Sequence, residues 1–414
     1  MTGFIGAALA ISLSALSQDA IEQTPLSLAE AVMIAEQAED ASVQVWQARA
    51  QALEHRGESE NALPDPMMRV GLANVPLSDF DLNREAMTQA QIGVRQMFPR
   101  GETRELNRLR RRAQATSARE GGDLEQARIR LSVREAWLET YYWQRADALT
   151  RQSQTSITQL GEIATASFAT GRRNSHDVIR IDLETSILDT RLIQIERQLE
   201  MAQANLERFV TPDAARQPLT PQLPVLPAVP QEIESAQSRL VSHPMVRMLD
   251  AQVEARGREV DLALQQYRPG WAVEAGYGLR DTRSDTASVA VTVEVPLFSR
   301  RRQDEGVAAA RQEEAADLLS RQATLLEMNR QLEREFSRYV RLSEERILFD
   351  EDVLERARQT ATAVLIAYEN EQADFAELVR AELALLDAEL AFVRLNIDAL
   401  QSQARILYLV GEVQ

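Results

Sequence analysis

The chain has 414 residues, of which 44% are hydrophobic and 26% are charged, and its formal net charge is −17 at pH 7. This composition excludes a fibrous or disordered protein, and the negative charge argues against a nucleic-acid partner. The absence of cysteine excludes disulfides, thiolate metal sites and a cysteine nucleophile. Glycine, proline and aromatic residues are scarce while alanine, leucine, glutamate, glutamine and arginine abound, so the composition predicts a mainly α-helical fold. Alternating segments described below add a small β part.

The first 17 residues have the features of a signal peptide. An apolar stretch runs from Phe4 to Leu16, and Ala15-Leu16-Ser17 has the small-x-small pattern of a cleavage site. No lysine or arginine precedes this stretch, which departs from the usual signal. We predict a signal peptide over residues 1–17, with a frayed N-terminal helix of a cytoplasmic protein as the alternative.

Proline positions divide the rest of the chain into two halves. A proline inside a helix costs about 3 kcal/mol, and no proline occurs in residues 100–211 or after Pro296. Six prolines crowd residues 212–230, which we predict to be an extended linker. The sequence thus predicts a first structural repeat over 18–211 and a second over 231–414.

The two repeats resemble copies of one unit, which indicates an internal duplication. Asp177, Ile179 and Arg180 of the first repeat correspond to Glu377, Val379 and Arg380 of the second. Within each repeat, apolar residues recur at every seventh position in two adjacent stripes, which predicts long helices with a neighbour on each side. Each repeat is expected to contain a helix, a β-hairpin, a long helix and a shorter helix.

The lengths of these helices predict how they pack. The long helices cover 100–167 and 297–367, each about 100 Å at 1.5 Å per residue. In each repeat the two shorter helices together match the long one, and they cover 27–62 and 176–210 in the first repeat, and 231–268 and 376–410 in the second. We therefore expect the shorter helices to stack end to end beside the long helix as a rod.

Alternating apolar and small or polar residues predict β-hairpins over about 66–97 and 270–296. The residues predicted to share the apolar face of the second hairpin are Trp271, Val273, Tyr277, Val289, Val291, Val293 and Val295. Strands of this length and pattern are typical of outer-membrane barrels, and a soluble sheet with one face on a core gives the same alternation. Because four strands cannot close a barrel, the membrane interpretation requires several chains.

In the order of these features the sequence resembles the TolC-type outer-membrane efflux family, and more loosely its heavy-metal or copper/silver efflux branch. The resemblance extends from about Leu26 to Gly411. It rests on Leu26-Ser27-Leu28-Ala29-Glu30-Ala31, the duplicated hairpin and long-helix order, the Pro-rich linker, and the turns near Gly171 and Asn370, each followed by an acid and a Leu/Val-rich helix.

The resemblance implies a homotrimer in the outer membrane of a Gram-negative bacterium. Four strands per chain would contribute to a shared twelve-stranded transmembrane β-barrel in contact with outer-membrane lipid. Long antiparallel helical hairpins would form a trimeric α-barrel that extends into the periplasm. The partners implied are a periplasmic adaptor, or membrane-fusion, protein and an inner-membrane transporter of the RND type. The protein would be a passive exit duct for solutes such as metal ions or drugs.

The resemblance also implies a gate at the periplasmic helical tip, formed by acids that follow the second-half turn. Glu377 matches the first acid of the family, Arg380 stands where the second acid would be, and Glu371 replaces the turn glycine. The further candidates are Asp374, Asp177 and Arg180. Glu377 and Arg380, supplied threefold, would form salt bridges between subunits; the alternative is an intrahelical pair worth about 0.2–0.5 kcal/mol.

No catalytic or metal-binding constellation is predicted. His55, His176 and His243 are far apart in sequence, and no HExxH, GxSxG, P-loop or GxGxxG motif occurs. We therefore expect neither enzymatic activity nor a cofactor. The competing function is a soluble periplasmic coiled-coil scaffold or adaptor protein, whose helices would have the same pattern.

Arginine clusters follow the second strand of each hairpin. The first contains Arg108, Arg110, Arg111 and Arg112, and the second contains Arg300, Arg301 and Arg302. Either cluster could face anionic lipid headgroups below the barrel or pair with acidic neighbours.

Overall fold

The structure, a computed structural model, describes residues 25–77, 80, 85–169, 175–281, 283–370 and 372–411. Of residues 164, 167–169 and 175–178 it describes the backbone alone. The predicted signal peptide lies outside the described residues, as do Glu371 and the side chain of Asp177.

The first half contains four helices and one hairpin in the described segments. They are α1 (Leu28–Gln37), α2 (Ala41–Asn61), β1 (Met67–Ala73), β2 (Gln89–Phe98), α3 (Thr103–Ala169) and α4 (Ser175–Glu207). The helix predicted over 27–62 is broken at residues 38–40, because Asp40 caps a new helix by accepting a hydrogen bond from Ser42 N at 2.8 Å.

The second half has the same order of elements. After α5 (Pro212–Ala215) come α6 (Ile233–Arg239), a 3₁₀ turn (Leu240–Ser242), α7 (Pro244–Gln265), β3 (Gly270–Leu279), β4 (Thr286–Glu294), α8 (Ser299–Leu348), a π-helical turn (Phe349–Leu354), α9 (Glu355–Glu369) and α10 (Phe375–Val410). The helix predicted over 231–268 is broken before Pro244, since proline is tolerated only in the first turn of a helix.

The long helices lie side by side, with α3 at the centre. Helices α2 and α4 pack along one side of α3, and α7 and α10 pack along the other. Helix α8 in turn packs on α7 and α10. The shorter helices therefore stack end to end beside the long ones, and the described helices leave two open edges, one formed by α2 and α4 and the other by α8 and α9.

The Pro-rich linker is packed against the helices at mid-height. Leu219 and Leu226 are buried, and Leu219 forms a parallel bridge with Leu26. The Tyr141 hydroxyl of α3 donates to the Pro221 carbonyl at 2.8 Å, and the Gln403 amide of α10 donates to the Pro227 carbonyl at 2.8 Å. The linker is thus a strap that ties α3 to α10.

The core is divided into separate clusters along the rod. The mid-height cluster surrounds Trp137, which is fully buried, stacks on Tyr141 at 5.5 Å and donates from Nε1 to the Leu26 carbonyl at 3.2 Å. A second cluster joins α3, α4, α9 and α10 around Phe375 near the 370–374 turn. A third joins α6, α7, α8 and α10 around Leu332.

None of the described helices is both long enough and apolar enough to cross a membrane.

Candidate functional site

The four strands form one antiparallel sheet in the order β1-β2-β3-β4. Strands β1 and β2 come from the first half and β3 and β4 from the second, so the β2–β3 pairing joins the repeats. Residues opposite each other in an antiparallel pair point to the same face. The register therefore determines which residues share each face of the sheet.

One face of the sheet is almost entirely apolar. Through the pairs Val70–Ile92–Tyr277–Ala287 and Phe98–Trp271–Val293, this face collects residues from all four strands. Its members are Met68, Val70, Leu72, Ala90, Ile92, Val94, Gln96, Phe98, Trp271, Val273, Ala275, Tyr277, Leu279, Ala287, Val289, Val291 and Val293. We call it the apolar face.

The six strand residues predicted from Trp271 to Val293 all lie on the apolar face, and Val295 follows directly after β4. All of them are exposed except Val273, which is half-buried. Val289 is 78% exposed and Val70 on β1 is 72% exposed, values expected at a surface that another apolar phase covers. Phe98 and Trp271 stack at 4.0 Å at the helical end of this face.

The opposite face consists mainly of polar and small residues. Its members are Met67, Arg69, Gly71, Ala73, Gln89, Gln91, Gly93, Arg95, Met97, Gly270, Ala272, Glu274, Gly276, Gly278, Thr286, Ser288, Ala290, Thr292 and Glu294. Opposite charges meet across the strands, since Arg95 on β2 pairs with Glu274 on β3. The sheet is therefore two-sided, with one face suited to hydrocarbon and the other to water.

The base of the sheet is fixed by Arg100, which connects the two repeats. Its guanidinium donates to the carbonyl and to Oε1 of Gln266, each at 3.0 Å, and forms an ion pair with Glu294. Gly101 follows with a φ of 46°, and a Cβ there would collide with Gln265 and Arg268. Sequence analysis missed this clamp because its partners are distant in the chain.

At the other end of the rod, Asp374 and Glu377 lie at the N-terminus of α10. Asp374 is its N-cap, and its Oδ1 accepts a hydrogen bond from the Glu377 backbone N at 2.7 Å. The Glu377 side chain is exposed and lies in the first helical turn, where a carboxylate is favoured by the helix dipole. Among the described residues, Glu377 forms no ion pair with Arg380, whose Nε donates instead to the Ala376 carbonyl at 3.0 Å.

Of the remaining gate candidates, the structure describes the side chain of Arg180, which is exposed on α4. Helices α4 and α10 meet in the second core cluster, which contains Ile181 and Leu378. Two features of this region were not predicted. Arg191 of α4 forms an ion pair with Asp387 of α10 at 2.8 Å, which bridges the repeats. Its two members are 196 residues apart, so no local pattern reveals the pair.

Glu382 is the second unpredicted feature of the tip. It is half-buried on α10, and burial raises the pKa of this carboxyl, with a further contribution from the charge of Glu389. The two glutamates are seven residues apart, so they lie on the same side of the helix. In the described part of the chain, no three histidine, aspartate or glutamate side chains are grouped as metal ligands.

Comparison with known proteins identifies the fold. No family model and no curated protein matches the sequence. The outer membrane protein VceC from Vibrio cholerae matches with a TM-score of 0.77 and 14% identity, over 93% of this chain and 96% of that chain. The CmeC outer membrane channel of Campylobacter jejuni matches at 0.76 and 10% identity, over 93% and 85%. The open-state MtrE outer membrane channel of Neisseria gonorrhoeae matches at 0.74 and 12%, over 93% and 88%.

The chain therefore has the fold of these outer-membrane channels, which confirms the TolC-type fold predicted from the sequence. The long helices and the small sheet correspond over nearly the whole length of each chain. At these identities the likeness establishes the fold, and the function must be argued from the surfaces of this chain.

Proposed function

We propose that the chain is one protomer of a homotrimeric exit duct in the outer membrane of a Gram-negative bacterium. Its sheet would lie in the membrane and its helices would extend into the periplasm. The observation that supports this most directly is the sheet with one exposed apolar face and one polar face at the end of a helical rod.

The uncovered apolar face distinguishes this proposal from a soluble scaffold. A soluble sheet hides its apolar face against a helix or a second sheet. In the described segments no helix packs on the sheet. Tyr277 and Leu279 remain 46% and 55% exposed. Burying such a face against lipid would gain about 25 cal/mol per Å² of apolar surface.

The open edges of the sheet support a trimer. Strands β1 and β4 each have one unpaired side, and four strands cannot close a barrel. If β4 of one chain pairs with β1 of the next, three chains give a twelve-stranded barrel whose polar faces line a lumen. This head-to-tail contact closes into a ring, as cyclic symmetry requires.

The open edges of the helices support the same assembly. Helix α4 exposes Ile179, Leu183 and Ile193 on the side away from α3. At the other edge, Leu319 and Leu326 are 65% and 63% exposed on α8. Helix α4 runs away from the tip and the α8–α9 helix runs toward it, so the two edges of adjacent chains would pack antiparallel. In chain order, β1 follows α2 of the first edge and β4 precedes α8 of the second.

In this assembly the duct is passive, and the tip keeps it closed. The exposed Glu377 side chain has no partner among the described residues of its own chain, so it is available to a cation of a neighbouring protomer. Arg380 on α10 and Arg180 on α4 are exposed cations. A periplasmic adaptor and an inner-membrane transporter of the RND type would supply the docking contact and the energy.

Outer-membrane fractionation followed by an unboiled gel tests this function. We expect recovery in the outer membrane as a complex of three chains. Leu319→Glu with Leu326→Glu should abolish the trimer, because two carboxylates would be buried at a helix edge. Val225→Glu is the control, since Val225 is 97% exposed on the strap. A soluble monomer or dimer of the unmodified chain would instead support the scaffold.

A conductance measurement in planar bilayers tests the gate. Glu377→Ala should raise the open fraction of the trimer by several-fold, because its tip would lose a carboxylate in each protomer. Glu345→Ala is the matched control, an exposed acid on α8 far from the tip. Equal conductance of the two variants would remove Glu377 from the gate and leave the duct itself intact.

A further inference from the structure

The segment that follows β4 exposes two large apolar side chains. Residues 295–302 read Val-Pro-Leu-Phe-Ser-Arg-Arg-Arg. Leu297 is 75% exposed and Phe298 is 91% exposed, which makes Phe298 one of the most exposed large apolar side chains described. They follow β4 at the end of the sheet where Phe98 and Trp271 stack.

Arg300, Arg301 and Arg302, which we call the arginine triplet, come immediately after these apolar residues. All three are exposed, and none forms an ion pair or a side-chain hydrogen bond within the described residues. Arg302 is close enough to Glu294 to interact electrostatically, but Glu294 is already bound to Arg100. The chain has a net charge of −17, so the triplet is a local positive patch on an acidic protein.

The corresponding cluster of the first repeat behaves differently. Arg108 forms a pair with Glu105 at 2.7 Å, and Arg111 forms a pair with Glu60 of α2 at 2.6 Å. Arg110 is near both Glu60 and Glu259, at 3.5 and 3.8 Å. The first cluster therefore holds α2, α3 and α7 together. Of the two alternatives that the sequence left open, pairing with acidic neighbours therefore applies to the first cluster.

Helix stability does not explain the arginine triplet. Cations in the first turn of a helix are unfavourable because the helix dipole is positive there. Helix α8 has no acidic residue in its first turn, and Phe298 provides no side-chain cap. Helix α3, in contrast, carries Glu105 in its first turn. Neither a helix cap nor the helix dipole therefore accounts for the three charges.

We propose that residues 297–302 anchor the protein to the phosphate headgroups of anionic phospholipids at the periplasmic surface of the outer membrane. This rests on the proposed membrane position of the sheet. Leu297 and Phe298 would enter the hydrocarbon boundary below the apolar face, where aromatic residues are favoured. The arginine triplet would then lie at the level of the headgroups, where arginine binds phosphate with two parallel hydrogen bonds.

The positive charge of the triplet and its position next to the sheet favour a lipid surface as the binding partner of residues 297–302. The triplet is cationic, adjoins exposed apolar residues and directly follows a strand whose apolar face needs lipid. An acidic protein segment would satisfy the arginines but would not cover Leu297 and Phe298 at the end of a membrane strand. Juxtamembrane arginines of this kind bind anionic lipid about fivefold more tightly for each cation.

The test is a lipid titration of the full-length trimer in a non-ionic detergent. Native mass spectrometry counts the lipids retained with phosphatidylglycerol and with phosphatidylcholine. We expect phosphatidylglycerol to be retained preferentially and to raise the temperature at which the trimer dissociates. The variant Arg300→Gln with Arg301→Gln and Arg302→Gln should reduce the affinity for phosphatidylglycerol at least tenfold and leave that for phosphatidylcholine unchanged.

The matched control removes three other exposed arginines, two from α8 and one from α9. Arg338, Arg346 and Arg358 form no ion pair within the described residues and lie well below the sheet. Their change to glutamine should leave phosphatidylglycerol retention intact. Equal loss in both variants, equal retention of the two lipids, or the same stabilisation by inorganic phosphate would each overturn the anchor. Absence of the unmodified protein from the outer membrane would instead overturn the proposed function.

Discussion

The long helices of the two repeats have similar sequence patterns and very different surroundings. Helix α3 is contacted by α2, α4, α7 and α10, and Val133, Trp137, Leu138 and Ile157 on it are fully buried. Helix α8 packs on α7 and α10 and leaves Leu319 and Leu326 exposed. A heptad stripe therefore predicts that a residue needs a partner, and the position of the helix decides whether that partner is in the same chain.

A second difference is the continuity of the two helices. Helix α3 is unbroken from Thr103 to Ala169, whereas the second-repeat helix contains a π-helical turn at Phe349–Leu354. Phe349 in this turn stacks on Phe392 of α10 at 6.4 Å. Insertions of this kind shift the following turns, so α9 is rotated relative to the heptad register of α8.

The largest expected effect is at the centre of the first repeat. Trp137→Ala would remove a fully buried ring and its hydrogen bond to Leu26, and should lower the free energy of unfolding by about 3–5 kcal/mol. Guanidinium unfolding followed by fluorescence measures this free energy. As the control, Val225→Ala on the exposed strap should change the free energy of unfolding by less than about 0.5 kcal/mol. Similar small effects for both would show that α3 is not the core of the rod.

A close helix approach gives the next effect. A Cβ at Gly121 of α3 would lie 2.7 Å from the Trp46 ring of α2, so Gly121→Ala must push the two helices apart. Overpacking of this kind costs about 1–3 kcal/mol. The midpoint of guanidinium unfolding should fall accordingly. Recovery of stability in the double variant with Trp46→Leu would assign the loss to this contact, and no recovery would contradict it.

The caps of the corresponding helices α2 and α7 predict a difference in acid sensitivity. His243, the N-cap of α7, accepts from Met245 N, and burial lowers its pKa to about 4. In the unfolded chain this imidazole is protonated below about pH 6.5, whereas in the folded chain it stays neutral down to about pH 4. The free energy of unfolding therefore falls between pH 6.5 and 4, by about 2 kcal/mol at pH 5. His243→Asn, which can still cap, should remove this slope in urea unfolding.

The cap of α2 should respond only at lower pH. A hydrogen bond from Ser42 lowers the pKa of Asp40 below its usual value of 3.8, so this cap is intact above pH 3.8 and weakens as the pH falls further. Hydrogen exchange of α2 and α7 at pH 5 should thus show α7 opening first. Equal opening of the two helices would contradict the assignment of the slope to His243.

The smallest expected effect is at Gly306 on α8, and it tests whether a neighbouring protomer covers this edge of the helices. A Cβ at Gly306 of α8 would meet nothing within 4 Å among the described residues. Gly306→Ala should therefore stabilise the chain by about 0.5–1 kcal/mol through helix propensity. Urea unfolding of the monomer and heat dissociation of the trimer measure the two states. If the substitution stabilises the monomer but weakens the trimer, the added methyl group must clash with a helix of a neighbouring protomer packed against Gly306.

Much of the fold could be predicted because its signals are local. Helix periodicity located α3, α4 and α10 within three residues of their observed ends, and alternation located both hairpins and the apolar face from Trp271 to Val293. The breaks before α2 and α7 were missed because a single cap or proline outweighs a continuing apolar pattern over one turn. The tip residues Glu377 and Arg380 were located by the family resemblance, and their role as a gate stays a prediction.

The sequence by itself determined the elements, their order, the duplication and the two-sided character of the strands, because periodicity and proline placement act within a few residues. Tertiary structure decided which helix is central and which lies at an edge, which arginine cluster is paired and which is exposed, and that Arg191 meets Asp387. These depend on contacts between residues far apart in the chain, whose side chains are brought together only when the helices pack side by side.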